Sequence, residues 1–219
     1  MFEIIIVYLI LSVCIGLYAA KKVNTVNDFV IAGRKLPFIF ILAMVFATWF
    51  GAETILGISA TFLEEGLHGL ASDPFGASFC LIIFGLFFAK KLYRMNLLTL
   101  GDFFKFHYSS KVELIISICI VLSYLGWVSA HITALGLVFN VLTNGSISQS
   151  FGMILGGVSI LLYTLAGGMW SIAITTFVQM IVIILGLILV TFEATTLAGG
   201  FTNVLLTEDY EGNFEWLPD

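Results

Sequence analysis

One carboxylate stands alone in the stretch MVFATWFGAETILG, Met44–Gly57: Glu53 has no Lys or Arg within a dozen residues on either side. At bilayer depth such a group costs at least a few kcal/mol, so it needs a partner, a proton or a water-filled cavity. Two chemistries are open to it. Protonated, it bonds to a neighbouring helix and serves packing alone. Ionised, it faces a cationic solute, and Trp49, one turn earlier, offers a π-face to the same kind of ligand. Gly51 and Gly57 bracket the carboxylate, and Ala47, Thr48 and Ala52 are small, so this helix unwinds or packs closely with ease. Broken helices are tolerated at membrane depth where they line a cavity. The carbonyls released at such a break are hard oxygen ligands suited to an alkali cation.

A second set lies further on. Tyr124, Trp127 and His131 follow i, i+3, i+7 spacing and share one helical face. Aromatic stripes in membrane helices serve packing more often than binding, but the first site raises Trp127 to a candidate solute contact. The other polar groups have plainer readings. His68 falls in a short external turn, His107 is an interfacial side chain, and Glu193 is close enough to a helix end to reach headgroups. Ser110-Lys111-Val112-Glu113 reads as a capping box, which makes Glu113 a cap. Cys14, Cys80 and Cys119 lie far apart in apolar runs without metal-ligand spacing, as small packing residues do. Gly152, Gly156 and Gly157 give a small-xxx-small pattern for close helix contact. No phosphate-cradling loop, zinc spacing or nucleophile–base–acid set occurs, so neither enzyme activity nor nucleic-acid binding is expected.

The elements that position these groups follow from composition. Of 219 residues 60% are hydrophobic and 11% charged, against about 25% charged in soluble domains. An all-α integral membrane protein is expected. A bilayer core of about 30 Å takes roughly 20 apolar residues per helix, and suitable runs fall near 2–20, 37–60, 74–92, 112–142, 150–168 and 171–196. Residues 2–20 resemble a signal peptide, but the basic pair Lys21-Lys22 follows the run and no cleavage site does, so the run reads as a retained helix. Ser72-Asp73-Pro74 supplies an N-cap and first-turn proline for the third run. LLTLGDFFKFHY, Leu97–Tyr108, reads as a short amphipathic helix at the interface.

Charge then orients the spans. All 9 basic residues lie in two loops. Lys21, Lys22, Arg34 and Lys35 separate the first two runs; Lys90, Lys91, Arg94, Lys105 and Lys111 separate the third and fourth. The positive-inside rule makes that side cytoplasmic. Glu64, Glu65 and the acidic segment 197–219 then face outward with the N-terminus, as in a multi-pass plasma-membrane protein, or an inner-membrane one if bacterial.

NDFVIAGRKLP, Asn27–Pro37, and YTLAGGMWSIAITTFVQMIVIILG, Tyr163–Gly186, resemble two motif regions of the sodium:solute symporter family. ATWFGAETILG with DPFGASFCLIIFGLFFAKKLYRMNLLTLGDFF is most similar to its high-affinity choline transporter branch. The resemblance implies a five-plus-five inverted-repeat transporter preceded by an extra helix. Here the extra helix would be 2–20 and the first repeat 37–196, broken near 47–53. The second repeat would be missing and 197–219 would be a truncated external loop. It further implies that Ala47 and Phe50 give backbone carbonyls to a sodium ion whose hydroxyl ligands come from the second repeat. Trp49 and Trp127 match aromatics that pack on solute, and Glu53 falls where sugar-transporting members bind substrate and choline-branch members have glycine. Three positions depart from the patterns. Ala77 stands where the choline branch has a cage tyrosine, Thr176 replaces the aspartate of a TD pair, and Trp49 replaces the aspartate of proline-transporting members.

The function expected is sodium-coupled uptake of a small organic solute by alternating access. A cationic or zwitterionic amine such as a choline-like compound pairs with Glu53. The alternative is a sensory membrane module on the same fold, distinguished by a signalling domain encoded downstream. A self-contained six-helix channel is disfavoured, since no polar stripe recurs across the helices.

Overall fold

The computed structural model describes residues 2–51, 53–200 and 203. Its described residues form two compact units. One comprises the chain up to Thr48 with Leu97–Val178; the other comprises Trp49–Asn96 and the described residues from Gln179 on. Secondary structure among the described residues is entirely helical. We number the helices α1 Phe2–Ala19, α2 Val26–Ile31, α3 Phe38–Trp49, α4 Ser59–Gly69, α5 Ala71–Arg94, α6 Leu100–His107, α7 Ser110–Leu142 and α8 Gln149–Leu197.

Four helical stretches are long and apolar enough to cross a membrane, Ile5–Lys22, Ala71–Arg94, Ser110–Leu142 and Gln149–Leu197. A fifth exists if Val26–Arg34 and Phe38–Trp49, bent by 102° at their junction, count as one. The most apolar windows of α5 and α7 contain no buried residue. Apolar faces left open along whole helices are costly in water and ordinary in lipid. The chain is a multi-pass membrane protein.

The helices follow the apolar runs with one further division. Run 37–60 is cut in two, as the glycine-flanked stretch requires. The helical stretch Gln149–Leu197 covers runs 150–168 and 171–196, and its two arms meet at Gly168, whose backbone is not helical (φ 48°, ψ −136°). Gly168 takes this positive φ at little cost because it has no Cβ.

In the first unit, close helix contact is made by glycines. A Cβ on Gly16 of α1 would collide with Tyr163 of α8, and one on Gly156 with Leu135 of α7. A Cβ on Gly136 would lie 2.6 Å from the Gln149 carbonyl. The small-xxx-small reading therefore holds for Gly152 and Gly156, which face α7, whereas Gly157 faces open space. The buried Ser171 hydroxyl donates to the Gly16 carbonyl across the α1–α8 interface, and the buried Thr175 hydroxyl donates to the Ser171 carbonyl within α8 at 2.8 Å. Phe40 of α3 rests on Phe177 of α8 with ring centroids 5.2 Å apart.

Capping corrects one reading and adds two. The N-cap of α7 is Ser109, whose hydroxyl accepts from the Val112 N–H at 3.4 Å. Ser110 is already helical, and Glu113 pairs with Lys105 at 3.3 Å instead of closing a box. Capping boxes do exist at Thr25/Asp28, opening α2, and at Thr99/Asp102, opening α6. Asp73 is extended (φ −140°, ψ 123°), with Pro74 in the first turn of α5.

Candidate functional site

The break falls where the small residues and glycines place it. α3 ends at Trp49, Phe50 and Gly51 form a bend, and the chain resumes at Glu53 in a wide π turn, Glu53–Ile58, before α4. A helix end is where backbone carbonyls turn from the regular ladder to other partners, and the last turn of α3 is Phe46–Trp49. Ala47 is one of these and Phe50 sits in the bend itself. Oxygen donors of this kind, on uncharged backbone, suit a weakly demanding monovalent cation.

Side-chain hydroxyls edge the break. Thr48 donates to the Met44 carbonyl at 2.8 Å, inside the last turn of α3. Thr54 donates to the Trp49 carbonyl at 2.5 Å, and the Ile55 N–H reaches the Gly51 carbonyl at 3.1 Å. The Trp49 carbonyl is thus satisfied by a side chain from beyond the break. Thr54 was not a candidate from sequence; its signal is a hydroxyl one wide turn past the helix end. The Trp49 ring is 46% exposed, so its face is open to a partner. Glu53 opens the π turn, but its side chain, like all of Ala52, lies outside the described residues.

Trp127 belongs to the other unit and has its own surroundings. Tyr124 meets it edge-on at 6.1 Å, and His131 tilts against it at 4.3 Å. The i, i+3, i+7 spacing therefore does build one continuous aromatic face. His131 Nδ1 lies 3.0 Å from the Trp127 carbonyl. A carbonyl only accepts, so this contact puts a proton on Nδ1 and directs Nε2 away from its own helix. Trp127 remains 41% exposed. Thr176, at the position of the family's aspartate, donates to the Ile172 carbonyl of its own helix at 2.8 Å.

Trp49, Phe50 and Glu53 thus fall in consecutive parts of one break, at the end of α3, the bend and the start of the π turn. Trp127 has a separate aromatic face.

Comparison with known proteins places this architecture. The model of the sodium:solute symporter family matches residues 29–210. The chain belongs to that family. It is 31% identical over 218 residues to the high-affinity choline transporter 1 of Torpedo marmorata, covering 94% of this chain and 37% of that protein. The human high affinity choline transporter 1 is 29% identical over 192 residues, 84% of this chain and 33% of its own. The osmoregulated proline transporter of Bacillus subtilis is 31% identical over 213 residues, 90% of this chain and 42% of its own. The chain therefore spans between a third and somewhat over two fifths of the length of these relatives. No solved structure matches it.

Proposed function

We propose that this chain is part of a sodium-coupled secondary active symporter that moves a small organic amine, cationic or zwitterionic and choline-like, by alternating access. The observation that carries the reading is the helix broken between Trp49 and Glu53, in a chain whose family is defined by sodium-coupled solute transport. The carbonyls of Ala47 and Phe50 contribute to a sodium site, and its remaining ligands come from beyond this chain. Trp49, Glu53 and Trp127 contact solute: two π-faces and one carboxylate recognise a compact organic cation better than they do a sugar. The protein lies in the plasma membrane with its N-terminus outside, as the segregation of its 9 basic residues into two loops supports.

The test is uptake by the full-length protein in proteoliposomes. Radiolabelled choline is expected to accumulate under an inward sodium gradient and to equilibrate without concentration when potassium replaces sodium. Accumulation that ignores the sodium gradient overturns sodium coupling. Failure of choline to compete with an accumulated solute overturns the amine assignment.

A further inference from the structure

The Gly167-Gly168 kink does more than bend α8. A Cβ on Gly167 would lie 2.9 Å from the Cα of Ala20, and one on Gly168 would collide with the Phe29 carbonyl. Both contacts lie within the first unit. The kink therefore gathers the end of α1, helix α2 and the start of the second arm of α8 at one point.

Two consecutive lysines at the end of α1 lie on aromatic faces, Lys22 on one of α8 beside the kink and Lys21 on one of α1 itself. Lys22 Nζ lies 4.5 Å from the ring centroid of Trp170, and Lys21 Nζ lies 5.2 Å from that of Tyr18. Among the described residues neither lysine has a carboxylate within ion-pair distance, whereas Lys105 of the same unit is paired with Glu113 at 3.3 Å. Beside them α2 exposes two apolar side chains, Val26 at 72% and Phe29 at 36%. Aromatics and lysines side by side mark the level of the headgroups, and exposed apolar groups next to them belong at the acyl boundary.

We infer that Lys21 and Lys22 form a binding site for the phosphate of an anionic phospholipid in the cytoplasmic leaflet. Tyr18 and Trp170 seat the two ammonium groups, and Val26 and Phe29 cover the upper acyl chain. Charge complementarity selects the occupant. The orientation proposed above, on which the inference rests, puts these two positive charges on the side of the membrane where anionic lipid is concentrated. A lipid also satisfies the apolar pair on α2, which a free phosphate would leave in water. The site is independent of which solute the protein carries.

The experiment is native mass spectrometry of the full-length protein in neutral detergent, titrated with phosphatidylglycerol or phosphatidylcholine. Wild type is expected to retain phosphatidylglycerol in preference, and the preference is expected to fade at high salt. Lys21→Gln with Lys22→Gln should weaken that binding by about thirty-fold, at about fivefold per surface lysine. Lys21→Arg with Lys22→Arg should keep it, as should Lys90→Gln with Lys91→Gln. Equal retention of the two lipids by wild type, or equal loss in both Gln pairs, overturns the site. So does full competition by inorganic phosphate, which would mark a free-anion site. The lipid preference and its salt dependence are read on the unmodified protein, so a Gln variant that does not fold leaves the decision intact.

Discussion

The Thr54 hydroxyl donates to the Trp49 carbonyl at 2.5 Å and so ties the two sides of the helix break together. Thr54→Val keeps the shape and removes the donor. It should cost about 1 kcal/mol, seen as a lower unfolding temperature of the full-length protein in detergent. If the break shapes the sodium site, apparent sodium affinity in uptake should fall by about fivefold as well, the same energy expressed at the ion. Thr54→Ser should restore both. Wild-type sodium affinity in Thr54→Val would show that the bond and the ion site are unconnected.

Glu53 and Glu193 test position against charge. Both are glutamates of apolar helical segments, but Glu53 opens the π turn at the break while Glu193 is exposed one turn from the end of α8. Glu53→Gln should lower uptake at subsaturating solute at least about tenfold, since a pairing with a cation in a low-dielectric cavity is lost. Glu193→Gln should stay within about twofold, as surface charges usually do. Near-wild-type uptake in both variants would remove Glu53 from the site.

How far the sequence discloses this arrangement depends on the kind of signal. The break was legible because it is written in residue types: glycines flank Glu53 and small side chains precede it. Membrane character was legible from composition alone. The break between the fifth and sixth runs was legible in Gly167-Gly168, and the structure has non-helical backbone at Gly168. What the kink packs on was hidden: Ala20 and Phe29 are remote from it in sequence. The shift of the α7 cap to Ser109 has a similar cause. Ser109 and Ser110 cap equally well, and the pairing of Glu113 with Lys105 on α6 removes the box that would have favoured the later serine. The turn Ala32–Arg34 was also hidden. Its three residues have φ of 50°, 59° and 56°, a left-handed run in which Arg34 reaches the Leu97 carbonyl at 2.9 Å. A tertiary bond across 63 residues leaves no local trace.

The aromatic face of α7 predicts a graded response. Trp127→Leu should weaken a cationic solute by about three- to thirty-fold, read as a rise in KM for uptake, because the π-face is removed. Trp127→Phe should recover part of that affinity. Tyr124→Phe should leave KM unchanged, since the ring that meets Trp127 edge-on is retained. A KM for Trp127→Leu equal to wild type would make the stripe a packing feature alone.

Acidification should loosen the start of α6. The Asp102 carboxylate accepts the N–H of Thr99 at 2.8 Å and that of Leu98 at 3.0 Å. The Thr99 N–H is the main reason its pKa lies below the ordinary aspartate value, with slight burial opposing and the Thr99 hydroxyl assisting. A depressed folded-state pKa means that the cap stabilises above the unfolded value, about 3.9, and is lost as pH falls through the folded one. Amide exchange in the first turn of α6, corrected for intrinsic rates, should be flat from neutrality down to about pH 5 and rise below about pH 4. Asp102→Asn should abolish that dependence.

Two glycines of α8 should respond to the same substitution with opposite sign. Gly186 lies in the regular helix, and a Cβ there meets nothing within 4 Å. Gly186→Ala should therefore stabilise by about 0.5–1 kcal/mol through reduced chain entropy. Gly168 has φ 48° and ψ −136°, and a Cβ there strikes the Phe29 carbonyl. Gly168→Ala adds about 1–2 kcal/mol of left-handed strain to a backbone collision that only the withdrawal of α2 relieves. It should lower the unfolding temperature and expose α2 to exchange, while Gly186→Ala does neither. Because Phe29 and Ala20 both abut the kink, α2 and the end of α1 should loosen together. Loosening of α2 alone would show that the two contacts are separate and that the kink is not their common support.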